Sequence, residues 1–355
     1  MDTKSTPTLT LGITAFNEAK IIVGVIEELE RWMATQLPEI SFEILIVDDG
    51  SDDGMGELLS GAAINKPFLK IFRHKKNIGR GMGIRTAMEN ARGRFMVALD
   101  ADLSYGPEHI KTLLDPLLSD DADITLASPY HRDGVVKNVP TLRLIMSKIG
   151  NKILSRSFDG KYNTATCVVR GYNRKAIENL FLVNVGKELH LEVLYKAEIL
   201  GLRIKEMPAK LIWRNRNRRR ERPVKILSLR DNTLISMRHV IKSHILFNFI
   251  AKPTLIFIFP AFIFFCVTVF GVVSLGSELI QNIGAGERNA LRLTLFDGLL
   301  TLLLTIVSLF MSLFFVSLMF VVSQARKYFE ESYVLMSKTH SLVKTIAGKN
   351  ASREN

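Results

Sequence analysis

Phe42-Glu43-Ile44-Leu45-Ile46-Val47-Asp48-Asp49-Gly50-Ser51-Asp52-Asp53-Gly54 runs an apolar, strand-forming stretch straight into a cluster of carboxylates and glycines. Phe95 to Leu99 followed by Asp100-Ala101-Asp102 repeats the arrangement. Short apolar runs of this kind read as buried strands. Carboxylates at their carboxyl ends fall where an open α/β sheet presents its ligand crevice. Acids there suit a nucleotide and a divalent metal.

The pattern extends on both sides. Leu9 to Thr14 is a strand candidate, and Asn17-Glu18 opens a helical pattern over Ile21 to Met33. Strand and helix then alternate: Phe42 to Val47 with Gly54 to Ala63, Leu69 to Arg73 with Gly81 to Ala91, Phe95 to Leu99 with Pro107 to Leu118, then Ile124 to Ala127. Such alternation predicts an α/β fold, a parallel sheet with helices on both faces.

At 355 residues and 47% hydrophobic content the chain can bury a sizeable core, but its apolar residues are unevenly placed. Pro253 to Leu275 is 23 residues without a charge and Leu299 to Val322 is 24 more. As helices these would each reach roughly 34 to 36 Å, enough for a hydrocarbon core of about 30 Å. Pro260 inside the first is tolerated as a kink. From Arg214 to Lys252 there are eleven Lys or Arg and two acids, a local +9 of the chain's +12. Ser323 to Asn355 carries six Lys or Arg, whereas Gly276 to Gly298 has only Arg288 and Arg292. The positive-inside rule therefore predicts a membrane hairpin with a short outside loop, the large amino-terminal part and both termini being cytoplasmic.

The predicted boundaries are an α/β region over 1–224, an amphipathic interfacial helix region over 225–250, a hairpin over 251–323, and a basic tail over 324–355. In the interfacial region Leu234, Met237, Ile241 and Ile245 recur at helical spacing against Arg238, His239 and Lys242. Met1 to Thr8 is polar and has no apolar signal-peptide core. Two cysteines, Cys167 and Cys266, offer no disulfide framework, which fits a reducing compartment. The Arg-rich run from Arg214 to Arg222 lacks interleaved aromatics and any nucleic-acid module, so lipid headgroups or a lipid phosphate are its expected partners, and nucleic acid is not.

Thr14-Ala15-Phe16-Asn17-Glu18, the VDDGSDDG stretch, Asn77-Ile78-Gly79-Arg80-Gly81 and LDADLSYGPEHI stand in an order that resembles inverting family 2 glycosyltransferases of the GT-A fold. With the predicted hairpin, the chain is similar to the polyprenyl-phosphate glycosyltransferases, the group of dolichyl-phosphate mannose synthases and undecaprenyl-phosphate glycosyltransferases. The resemblance implies transfer of a sugar, with inversion, from a UDP- or GDP-linked donor to a dolichyl or undecaprenyl phosphate. It implies an integral protein of the plasma or inner membrane, or of the endoplasmic reticulum in a eukaryote.

The resemblance also implies roles. Thr14, Phe16, Asn17, Glu18, Asp48, Asp49, Asn77, Gly79, Gly81 and Asp100 would form the nucleotide-sugar pocket, with Asp48 accepting a hydrogen bond from the base. Asp102 would hold Mg²⁺ or Mn²⁺, and Asp100 would share the metal or meet the ribose. Arg143 and Ser147 match the family's Arg and Ser on a helix that grips the lipid phosphate, and Ser128, Arg170 and Arg214 are assigned to the same phosphate. Pro129 stands where the family has Arg, so Arg132 is the expected substitute. Ser104 stands where the family often has Gln. Glu188 and Glu192 are candidates for sugar hydroxyl contacts or, equally, helix N-terminal acids. The catalytic set is Asp102, Asp100 and Arg143.

A phosphate monoester is already anionic near neutral pH, its second pKa being about 6, so no general base is needed. A processive polysaccharide synthase would need a Q-x-x-R-W motif and further spans, which this sequence lacks. A nucleotidyltransferase would need a basic Gly-rich amino-terminal signature in place of TAFNEAK. A non-enzymatic membrane adaptor would have no reason to place Asp48, Asp100 and Asp102 together. A homo-oligomer is compatible with the sequence and not required by it.

Overall fold

A computed structural model describes residues 6–186, 188–213, 253–285 and 290–351. The described residues fall into two compact units: one holds the amino-terminal part together with the chain from Tyr333 onward, the other the chain from the first apolar helix to Ser332.

The first unit is built on strands β1 (Leu9–Ala15), β2 (Phe42–Asp48), β3 (Leu69–Arg73), β4 (Phe95–Asp100), β5 (Ile124–Ser128), β6 (Val135–Lys137), β7 (Arg170–Asn173), β8 (Ile204–Pro208) and β9 (Lys210–Ile212). Its helices are α1 (Ala19–Gln36), α2 (Met55–Ile64), α3 (Arg80–Asn90), α4 (Glu108–Leu118), α5 (Thr141–Ser157), α6 (Arg174–Asn179) and α7 (Leu189–Ile199). Seven strands form one sheet in the order β3-β2-β1-β4-β7-β5-β8, and β6 pairs with β9 in a separate ribbon.

β1, β2 and β4 are buried over nearly their whole length, as expected of strands covered on both faces. Alternation decides which helix covers which face. Leu9, Leu11 and Ile13 share the main core with Ile22, Ile26 and Leu29 of α1, Leu59 of α2 and Ile110, Leu113 and Leu117 of α4. Gly12 and Thr14 point the other way, where a Cβ on Gly12 would meet Ala87 and one on Gly83 would meet Thr14, so α3 lies on the opposite face. Here α1, α2 and α4 share the first face.

The register brings the carboxyl ends level. Ala15 pairs with Asp48 and Thr14 with Asp100. Because β1 sits between β2 and β4, the strand order reverses beside it, and the crevice opens outside these ends.

The sheet is not wholly parallel. β7 enters between β4 and β5 and runs antiparallel to both, so the fifth parallel strand is displaced by one place. The result is the mostly parallel sheet with helices on both faces that the GT-A resemblance implies.

In the second unit, α8 (Pro253–Ala285) and the first part of α9 (Ala290–Ala351) are apolar helices. Phe257–Ile280 and Gly298–His340 are both long and apolar enough to cross a membrane. Thr268 and Ser308 share a hydroxyl hydrogen bond of 2.8 Å, and Ser312 Oγ donates to the Ala261 carbonyl at 3.1 Å. A Cβ on Gly271 would collide with Thr305. These pairings run in opposite directions along the two helices, the close approach of small residues that packs helices in lipid. The predicted second span lies inside a helix of 62 residues, which continues unbroken past Val322. At about 1.5 Å per residue that helix is far longer than a hydrocarbon core, so its last third must lie outside it. The interfacial region predicted over 225–250 lies outside the described residues.

Candidate functional site

The carboxyl ends of β1 and β4, the start of α3, and α5 enclose a cleft of about 660 Å³ in the first unit. Thr14, Phe16, Glu18, Asp49, Asn77, Gly79, Arg80, Asp100 and Asp102 line one part of it. Tyr130, Arg143, Ser147, Asn151, Thr164 and Trp213 line another. The predicted donor and acceptor elements therefore share one cavity.

The two carboxylates that end β4 are held differently. Asp100 is half-buried at the strand end, with Arg80 Nη1 at 3.5 Å from its Oδ1. Burial pushes its carboxyl above the usual carboxylate range, Arg80 opposes this, and the charge on Asp102 adds to the rise. Asp102 Oδ1 accepts from the Ser104 backbone N–H at 3.0 Å and from its hydroxyl at 2.6 Å. Ser104, at the position where the family often carries Gln, thus orients the second acid. Among the described residues no three His, Cys, Asp or Glu side chains cluster as a complete metal cage. Two hard carboxylates facing an open cleft fit a cation that takes its other ligands from substrate phosphates and water.

Asp49 works through the backbone. Its carboxylate accepts from the N–H groups of Ile78 and Gly79 at 3.0 and 2.8 Å and from His74 Nδ1 at 2.8 Å. It thereby fixes the loop that starts α3. Gly79 there has φ +119°, a backbone setting that L side chains rarely adopt. Asn17, at φ +56°, bridges β1 to the loop after β2: its N–H donates to Ser51 Oγ and its side chain accepts from the Asp52 N–H, both at 3.0 Å. It holds the pocket wall from behind and does not line the cleft.

Asp48 is fully buried, accepts from the Ser51 N–H at 2.9 Å, and lies 3.2 Å from Arg73 Nε. It too is absent from the cleft lining, which leaves its neighbour Asp49 facing the cavity. Gly81 sits against the carbonyls of Val185 and Gly186 with no room for a Cβ.

Of the residues expected at the acceptor, Arg143 and Ser147 lie on the helix α5, one turn apart, and both line the cleft. Arg143 stacks over the Trp213 ring at 4.2 Å from guanidinium carbon to centroid. Asn151, the next position at the same spacing, also lines the cleft, and this helical repeat was the signal that could have found it.

Three assignments are corrected by burial or distance. Arg170 is fully buried, and its guanidinium donates to the carbonyls of Cys167, His190 and Ala165 at 2.8, 2.9 and 2.7 Å. It ties β7 to α7 and has no face toward a lipid phosphate. Ser128 is likewise buried, sharing a 2.6 Å hydrogen bond with Thr164, and it is Thr164 that reaches the cleft. Arg132 is almost wholly exposed beside Asp133 and does not line the cavity, so it does not stand in for the family Arg. Arg214 lies outside the described residues. Glu192 is engaged away from the cleft, with Lys196 at 2.5 Å and the N–H groups of Val183 and Asn184 at 2.8 Å. The sequence reading also missed Tyr130, Thr164 and Trp213, which reach the cleft from loops with no motif of their own.

Residues 10–181 match the family model for Glycosyl transferase family 2. Glycosyltransferase AglD of Haloferax volcanii is 26% identical over 200 residues, 55% of this chain and 32% of that protein. Dolichol-phosphate mannosyltransferase of Pyrococcus furiosus is 28% identical over 189 residues, 52% of each chain. Polyprenol monophosphomannose synthase of Mycolicibacterium smegmatis is 29% identical over 172 residues, 46% of this chain and 64% of that one. The chain thus spans between 32% and 64% of the length of these relatives.

Proposed function

We propose that this chain, whose residues 10–181 form a glycosyl transferase family 2 domain, transfers a sugar from a nucleotide-sugar to a polyprenyl phosphate in a membrane. The observation that carries this reading is the sharing of one cleft by Asp100 and Asp102, suited to a nucleotide diphosphate, and by Arg143 and Ser147, suited to a phosphate monoester. The relatives named for dolichol-phosphate and polyprenol acceptors support the acceptor class.

In this mechanism a lipid phosphate oxygen attacks the anomeric carbon, the bond from that carbon to the nucleotide diphosphate breaks, and inversion follows from the in-line approach. Arg143 holds the nucleophile and Ser147 adds a hydroxyl donor, so the gain comes from orientation. No side chain has to remove a proton, because the nucleophile is already an anion. Asp102, with Asp100, would hold Mg²⁺ or Mn²⁺, whose charge would neutralise the departing diphosphate. Arg80, at the start of α3, adds a fixed positive charge on the same side.

α5 fits a lipid-borne acceptor. Leu142, Ile145, Ile149 and Ile153 form an exposed apolar stripe on it, and its only charged residues are Arg143, Lys148, Lys152 and Arg156. A basic helix with an outward apolar face suits the headgroup region of a bilayer.

The test is transfer of radiolabelled sugar from a panel of UDP- and GDP-sugars, with Mg²⁺ or Mn²⁺, into a butanol-extractable, mild-acid-labile lipid. Label entering such a lipid is the expected result. Label entering a butanol-insoluble polymer would favour a processive synthase, and no incorporation from any donor would favour an adaptor.

A further inference from the structure

The chain between α6 and α7 has no regular structure from Leu180 to Gly186, so its backbone groups need partners from elsewhere. Leu180 and Leu182 are buried while Phe181, Val183 and Val185 expose their side chains, so apolar packing holds alternate residues only. Hydrogen bonds hold the backbone between them. The Phe181 N–H donates to Tyr333 Oη at 3.0 Å, and Ser337 Oγ donates to the Asn179 carbonyl at 3.0 Å. Lys196 donates to the Phe181 carbonyl at 2.5 Å and places its ammonium 4.9 Å from the centre of the Tyr333 ring. Glu192 accepts from the N–H groups of Val183 and Asn184.

The far end of the segment meets the cleft. Met82 N–H donates to the Val185 carbonyl at 2.9 Å. Gly81 is packed so closely on Val185 and Gly186 that a Cβ would strike both carbonyls. Gly79 and Arg80, immediately before, line the cavity. A shift of the segment therefore has no slack to absorb it before reaching the start of α3.

Tyr333 and Ser337 are one turn apart on α9, the same helix whose earlier part is long and apolar enough to span a membrane. Both are buried against the first unit. We propose that Tyr333 is a positioning residue for the donor side of the cleft: with Ser337 it clamps residues 179–186, and these set the placement of Gly79 to Gly81 and Arg80. This rests on the transferase reading for its kinetic consequence, not for its structural one.

The experiment uses the full chain in nanodiscs with two conservative variants, Tyr333→Phe, which keeps the ring under Lys196, and Ser337→Ala. Amide hydrogen exchange should accelerate at residues 181–186 and also at 79–83, and the donor KM should rise about two- to tenfold, the worth of one hydrogen bond. The polyprenyl-phosphate KM should stay within twofold and kcat should change less than the donor KM. Faster exchange at 181–186 with none at 79–83, or an equal rise in both KM values, would overturn the proposal. Exchange needs no turnover, so coupled exchange without sugar transfer would uphold the clamp and overturn the transferase reading.

Discussion

Ser104 Oγ lies 2.6 Å from Asp102 Oδ1, and the Ser104 N–H bonds the same oxygen, so one residue holds the second acid of the pair by two donors. That leaves Oδ2 of Asp102 for a ligand, in an orientation set before any ligand arrives. Outer partners of this kind fix the rotamer of a metal-binding carboxylate.

Asp102→Asn should therefore lower transfer by orders of magnitude while leaving the melting temperature within a few degrees, since Asp102 is not part of the core. Ser104→Ala should be milder, raising the Mg²⁺ or Mn²⁺ needed for half-maximal transfer about 10- to 100-fold. Metal titrations of both variants check this. Full activity of the Asp102 variant in EDTA would remove the metal-dependent mechanism.

Arg143 lines the cleft and stacks on Trp213, and the proposed function assigns it to the acceptor phosphate. Arg143→Ala should depress transfer and raise the polyprenyl-phosphate requirement, with nucleotide affinity by calorimetry nearly unchanged. A lost charge-assisted hydrogen bond costs about 1.5 to 3 kcal/mol, roughly ten- to a hundredfold in binding. Lys should rescue only in part, for it has no planar fork to stack on the indole or to grip two oxygens. Trp213→Ala should raise the same requirement by about two- to fivefold, the worth of an exposed cation–π contact. Weaker nucleotide binding with an unchanged lipid requirement would move Arg143 to the donor pocket.

What the sequence made legible was local. β1 to β5 are apolar runs whose burial needs no long-range information, and the acids that end β2 and β4 follow them directly. β7 was invisible because Arg-Gly-Tyr-Asn has no apolar run; it is a strand only because β4 and β5 offer it edges on both sides. Arg170 was misread for the same reason, since its three carbonyl partners come from other segments of the fold. Asp48 and Asp49 are adjacent in sequence, and only the strand's two-residue alternation decides that Asp48 turns inward while Asp49 reaches the α3 loop. Arg143 and Ser147 were picked out by the family resemblance, and their four-residue spacing puts both on one face of α5.

His190 carries a pH dependence of the fold. It is 4% exposed, and its Nε2 has no hydrogen-bond partner among the described residues. Burial pushes its pKa well below the ordinary 6.5, and the positive charges of Arg170 on β7 and Arg80 on α3 push it the same way. The folded state therefore stays neutral at His190 while the unfolded chain takes up a proton below about pH 6.5, so stability is retained above that pH and lost as pH falls beneath it. His190→Leu should flatten the decline in melting temperature between about pH 6.5 and 5 relative to the unaltered chain. An equal decline in both would show that other groups set the acid limb.

Orientation in the membrane follows from charge. The residues from Arg214 to Lys252 carry a local +9, and the segment between the apolar stretches has two Arg, Arg288 and Arg292, against Glu278, Glu287 and Asp297. Cations near the ends of a span favour the cytoplasmic side, so the expected arrangement has the residues before the first span and those after the second in the cytoplasm and the segment between the spans outside. In a Cys266→Ser background, where the remaining Cys167 is buried, Ala285→Cys should react with an impermeant thiol reagent in sealed cells. Asp52→Cys and Lys344→Cys should react only after permeabilisation. Labelling at position 52 without labelling at 285 would invert the hairpin, and labelling of 52 and 285 together in sealed cells would mean that the two lie on one side and that α8 does not span.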